Sequence, residues 1–158
     1  AHPRRTAHTA VLAVALGMLT TACLGRSAAP GSLGGEEMGE PAWAGRLLSR
    51  GSLLISGSAE VRPSSDGESM FVTVALQGPP STTLALGWNL QRGLCGSPGV
   101  LMGRPGDYPA IVIHSDGSGA SVASIDEPVP TAGSYSVRLF ASPARGSQLL
   151  SCGDLSRR

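Results

Sequence analysis

Residues 42 to 158 predict an all-β domain, an antiparallel Greek-key sandwich or barrel of about seven or eight strands. Three observations carry this. Short runs rich in Val, Ile, Leu, Ser and Thr alternate apolar with small or polar residues. Clusters of Gly, Pro, Asp and Ser separate those runs. No segment sustains a helical period for three turns.

The runs are SLLISGSAEVRP, SMFVTVALQG, TTLALGWNL, YPAIVIHSDG, GASVASID, GSYSVRLFAS and SQLLSC, in chain order. In the second, Met70, Val72, Val74 and Leu76 share one face, which is assigned to the core. PSSDGES and SDGSG read as hairpin turns, because Asp-Gly supplies the positive φ that tight turns need. WAGRLLSRG, before the first run, fits either a turn or an entry strand. No internal repeat is visible.

The front of the chain has a different composition. Residues 1 to 22 carry Arg4 and Arg5, then an apolar run from Ala10 to Leu19, then small residues before Cys23, the three parts of an export signal. The run is shorter than the about 20 apolar residues that span a bilayer. Leu19-Thr20-Thr21-Ala22-Cys23 resembles the lipobox of bacterial lipoproteins, with Thr20 where Leu is usual. The resemblance implies cleavage before Cys23 and a lipid on that cysteine; ordinary cleavage after Ala22 would leave it a free thiol. Leu24 resembles the sorting residue of lipoproteins sent to the outer membrane, facing the periplasm. Residues 23 to 41, rich in Gly, Pro, Ala and Ser, have little to bury and read as a flexible tether. With Cys23 assigned to lipid, Cys95 and Cys152 remain as an even pair in an exported protein, where disulfides persist. They are expected to bond.

The net charge of +1 and the scattered arginines provide no electrostatic footprint for nucleic acid. The strands, read in order, resemble a copper/zinc superoxide dismutase domain over most of residues 52 to 155. GWNLQRGLC (87 to 95) resembles the strand with a His-x-His pair and the first disulfide cysteine. GDYPAIVIHSDGSG (106 to 119) resembles the stretch that follows the zinc loop. SYSVRLFASP resembles the late strand ending in a copper histidine, and LLSCGDL (149 to 155) the segment with the second cysteine. The resemblance implies the sandwich fold.

At the metal positions the pattern departs from that family. Asn89 and Gln91 stand where the His-x-His pair would be, Phe140 where the late copper histidine would be, and Arg104 where a zinc histidine would precede Asp107. Leu149 replaces the arginine that guides the anionic substrate. Of three histidines in the chain, His2 and His8 lie in the leader and only His114 in the domain, too few for a redox copper site. No metal or other cofactor is expected, and Phe140 is expected to plug the former site by packing.

Other candidate chemistry is weak. His114, Ser115 and Asp116 are consecutive, so their side chains cannot converge as a triad. Asp107 and His114 form a possible weak ligand site, but one carboxylate suits a hard cation poorly, and bracing a loop is the plainer role for Asp107. Asp126 and Glu127 are adjacent, unlike an opposed acid/base pair, and read as a solvated strand end. Trp88, Tyr108, Tyr135 and Phe140 suit core packing more than an exposed docking face. The sequence reading is a non-catalytic, lipid-anchored cell-envelope protein with a degenerate dismutase-like domain. It would serve interaction or structural support, with the membrane and an envelope protein as partners. The alternative is a metal, small-molecule or copper-handling accessory protein.

Overall fold

The computed structural model describes residues 39–50, 52–80, 84–144 and 146–158. The signal, Cys23 and most of the tether lie outside them. The described residues, 39 onward, belong to one compact unit. It is all-β and antiparallel, with nine strands among the described residues, one more than the upper expectation because a two-residue strand forms between the fourth and the sixth.

The strands are β1 (Trp43–Ser49), β2 (Ser56–Pro63), β3 (Met70–Gln77), β4 (Leu84–Arg92), β5 (Val100–Leu101), β6 (Ile111–Ile113), β7 (Ser118–Ile125), β8 (Tyr135–Phe140) and β9 (Leu149–Arg157). They follow the order β5-β4-β8-β9-β1-β2-β3-β7, with β6 also paired to β4. The chain crosses from one half of this curled sheet to the other between β3 and β4, between β6 and β7, and between β7 and β8. These are crossovers of the Greek-key kind. WAGRLLSRG resolves as strand β1, hydrogen-bonded to β2 on one side and β9 on the other.

Alternation puts the expected face inside. Met70, Val72, Val74 and Leu76 of β3 are buried, as are Leu86, Trp88 and Leu90 of β4 and Tyr135, Val137 and Leu139 of β8. They meet in one core with Ile111 and Ile113 of β6 and Ile125 of β7. Each such side chain contributes roughly 1.5–3 kcal/mol through burial.

The PSSDGES turn joins β2 to β3 as a hairpin, closed by Pro63 opposite Met70, with Gly67 at φ 77°. The Ser64 hydroxyl and the Glu68 amide donate to Asp66 and hold its carboxyl below the usual range. The SDGSG turn forms too, with the His114 amide donating to the Ser118 carbonyl at 2.8 Å and Gly117 at φ 84°. It does not continue into a hairpin ladder, since β6 pairs with β4 and β7 with β3. Gly119 lies so close to β6 that a Cβ there would sit 2.9 Å from the Val112 carbonyl and 2.6 Å from Ile113. The turn thus serves as a corner between the two halves.

Candidate functional site

Inward placement of Leu86, Trp88 and Leu90 forces Gly87, Asn89 and Gln91 of β4 onto the outer face. On β8 the same rule puts Ser136, Arg138 and Phe140 outside. The register sets Gly87 against Phe140, Asn89 against Arg138 and Gln91 against Ser136. Three of the four positions singled out for lost metal ligands, Asn89, Gln91 and Phe140, therefore share one face. Arg104 is elsewhere, exposed before a short 3-10 turn at Pro105–Asp107.

Two loops cover this face. Residues 93 to 99 are tied down by the Cys95–Cys152 disulfide, which forms as expected with Cα atoms 6.0 Å apart. The Cys95 amide also donates to the Asp154 carboxylate at 2.6 Å. Arg138 reaches up from β8 and donates to the carbonyls of Leu94 (3.2 Å) and Ser97 (2.6 Å). Its Nε and the Ser136 hydroxyl are buried and make no hydrogen bond to protein atoms. Arg138 thus sets a guanidinium on this face opposite Asn89. Asn89 and Gln91 are joined by one hydrogen bond, Gln91 Nε2 donating to Asn89 Oδ1 at 3.0 Å.

The second loop, described at residues 141–144 and 146–148, leans over β4. Only glycine at position 87 permits this, because a Cβ there would meet the Ser142 carbonyl oxygen at 2.5 Å. Between this loop and the 3-10 turn lies a cleft of about 290 Å³ lined by Trp88, Asn89, Tyr108, Phe140, Pro105 and Pro143, among others. Phe140 is only half-buried and forms a wall of the cleft. It does not plug the site. The floor is built by an edge-to-face contact of Trp88 and Tyr108, with ring centroids 5.1 Å apart. Trp88 donates to the Pro109 carbonyl at 2.7 Å, and the Tyr108 hydroxyl donates to the Met102 carbonyl. Burial pushes the Tyr108 hydroxyl above the usual tyrosine range, so it remains a neutral donor. Tyr135 packs at a different place, edge-on to Trp43 with centroids 5.2 Å apart.

Asp107 and His114 are not brought together. Asp107 sits beside Gly103, whose Cβ position would touch Ile125, at the C-terminal end of β7; His114 bonds to Ser118 at its N-terminal end. The eight residues from Ser118 to Ile125, seven steps apart end to end, correspond to about 23 Å along a strand. Asp107 instead braces its loop, accepting from the Arg104 amide at 2.7 Å and pairing with the Arg104 side chain at 3.5 Å. His114, Ser115 and Asp116 are exposed in the corner turn, where Asp116 accepts from Ser118. Glu127 is not simply solvated: it accepts from the Gly103 amide at 3.1 Å and anchors the segment that leads into the 3-10 turn.

Sequence reasoning missed Arg138, the 141–148 loop and Glu127 as parts of this region. The signal for Arg138 was present, since alternation through YSVRLF places it on the face of Phe140. Among the described residues no group of three or more His, Cys, Asp or Glu side chains is arranged to hold a metal ion. No protein-family model matches the chain, and no curated protein or solved structure matches it.

Proposed function

We propose that this chain is a non-catalytic, lipid-anchored protein of the bacterial cell envelope whose dismutase-like domain serves interaction or structural support. One observation carries the non-catalytic part. The face to which the resemblance assigns the His-x-His pair and the late copper histidine holds two amides bonded to each other, an aromatic ring and Arg138, and the zinc positions away from it offer only Arg104 paired with Asp107. Amides are weak ligands for these ions, and the guanidinium opposes a second cation. The residues do not fit either metal. The lipobox-like stretch ending at Cys23, the tether of residues 23 to 41 and the disulfide support the envelope part.

Two measurements test this reading. The purified full chain, incubated with copper and zinc and then desalted, is expected to retain less than stoichiometric metal and to show no superoxide turnover. Stoichiometric retention with turnover overturns the non-catalytic part. Substituting Cys23→Ala is expected to move the protein from the membrane fraction to the soluble one. Membrane association equal to that of the wild type refutes the anchor.

A second reading, small-molecule binding, is favoured by the cleft beside Asn89 and Phe140. Its version with a metal shared by Asp107 and His114 gains nothing from the structure, which sets them at opposite ends of β7.

A further inference from the structure

We infer that the exposed Arg46, Leu48, Arg50, Leu53 and Leu54, at the end of β1 and in the loop to β2, dock on the anionic surface of a lipid bilayer. The inference gives the anchored reading a partner surface and rests on that reading for its purpose. The binding itself is tested on a chain without the anchor, so failure of the patch and failure of the anchor are distinguishable.

The leucines stand outside because the core positions beside them are taken. Leu47 and Ile55 are buried, Leu47 in the core from β1 and Ile55 just before β2. Successive side chains of a strand point to opposite faces, so Leu48 turns outward, where it is 64% exposed. Leu53 and Leu54 precede Ile55 in the loop, and Leu54 is 75% exposed. The Leu53 carbonyl accepts from the Ser49 hydroxyl at 2.7 Å and from the Ile55 amide at 2.9 Å, which holds the loop leucines beside the end of β1. In the register Leu48 faces Cys152, whose bond to Cys95 brings the exposed Leu94 near as well. Apolar side chains gathered in this way favour a partner that removes them from water.

Charge selects a lipid surface as that partner. Arg46 and Arg50 are exposed beside the leucines, and among the described residues neither is paired with a carboxylate. Residues 41 to 59 contain no Asp or Glu. The carboxylates of adjoining elements are engaged within the protein: Glu60 of β2 by Arg62, Asp154 of β9 by the Cys95 amide, and Asp116 of the corner turn by Ser118. Leucines that enter the acyl boundary beside arginines that meet phosphate are the pairing an interfacial segment uses. An anionic leaflet presents phosphates at any spacing, so two arginines need no matching site on it. Reach permits the contact. The sixteen residue steps from Cys23 to Gly39 extend to at most about 53 Å, against about 20 Å for β1. A tether of this kind sets an effective concentration on the order of millimolar, so weak affinity suffices.

The full chain carrying Cys23→Ala is sedimented with sucrose-loaded vesicles of phosphatidylethanolamine and phosphatidylglycerol, and with vesicles of phosphatidylcholine alone. The expected result is lipid-dependent binding to the first, half-saturated at on the order of millimolar lipid. Binding to the second should be roughly tenfold weaker or more, as two arginines at an anionic surface imply. Affinity this low releases the unanchored chain during cell fractionation. Leu48→Ser combined with Leu54→Ser should weaken binding roughly tenfold or more, with the melting temperature unchanged because both positions are exposed. Arg46→Gln combined with Arg50→Gln should erase the preference for the anionic vesicles. Val122→Ser, at a 44% exposed position on β7, should bind like the wild type. The inference is overturned by equal binding to both vesicles, by the leucine variant binding like the wild type, or by Val122→Ser weakening binding as much as the leucine variant does. It is also overturned by a dimer in place of vesicle binding that the leucine variant dissociates, which assigns the patch to a second copy of the chain.

Discussion

Replacing Cys95 and Cys152 together with alanine is expected to lower stability by about 4 kcal/mol, the chain-entropy value for a loop this long. Their separation is 57 residues. For a domain of this size the melting temperature should fall by on the order of 15 °C. Alanine suits the test better than serine, because Cys152 is only 3% exposed and a hydroxyl there would add the cost of an unpaired buried polar group. The loss should also have a local signature. Residues 93 to 99 are held to the outer face by the disulfide, by Arg138 and by Asp154. With the covalent hold removed, amide exchange in that loop should accelerate beyond the global change, because two hydrogen-bonded side chains remain as its main hold. Thermal unfolding of the double variant, set beside the wild type with and without reductant, checks the global part. Equal melting temperatures in all three would show that the bond contributes nothing to stability.

The same loop shows where sequence reading stops. The strands were legible because a half-buried strand writes its period of two directly into neighbouring residues, as Met70, Val72, Val74 and Leu76 do. The cysteine pair was legible from the oxidising compartment implied by the export signal. The strand identity of Trp43–Ser49 was not. Its pattern is interrupted at Gly45, where a Cβ would lie 2.3 Å from the Asp154 carbonyl, and that demand comes from a strand more than a hundred residues away. The turn residues of the corner at His114 to Ser118 suit a hairpin. The strands on either side nevertheless take different partners, β6 pairing with β4 and β7 with β3, which turn residues alone do not encode. The cleft was hidden for a related reason. Phe140 looked large enough to plug the former metal position, but how far a ring fills a gap depends on Gly87 and on the course of residues 141 to 148, and neither is encoded at Phe140 itself.

Trp88→Ala is expected to cost about 4 kcal/mol, within the range for removing a buried tryptophan. Three losses combine in it. Trp88 is 4% exposed and belongs to the core with Leu86 and Leu90 of its own strand. Its ring supports Tyr108 edge-on, and its indole N–H holds the Pro109 carbonyl. The substitution therefore both opens a cavity in the core and loosens the segment from Pro105 to Pro109 that forms one wall of the cleft. Trp88→Phe separates the two effects, because phenylalanine keeps a ring in the core and lacks the N–H. That variant should lose about 1 kcal/mol for the hydrogen bond, plus a smaller packing term than alanine, while hydrogen exchange around Tyr108 and Ile111 accelerates as it does in Trp88→Ala. Urea unfolding gives the stability difference, and amide exchange gives the local one. If Trp88→Ala costs less than about 1 kcal/mol, its site is less tightly packed than a core position allows. If Trp88→Phe leaves exchange near Tyr108 unchanged, the Pro109 bond does not hold that wall. The joint outcome expected here, a large global loss with alanine and a mainly local one with phenylalanine, makes one residue of the core the support on which the cleft rests.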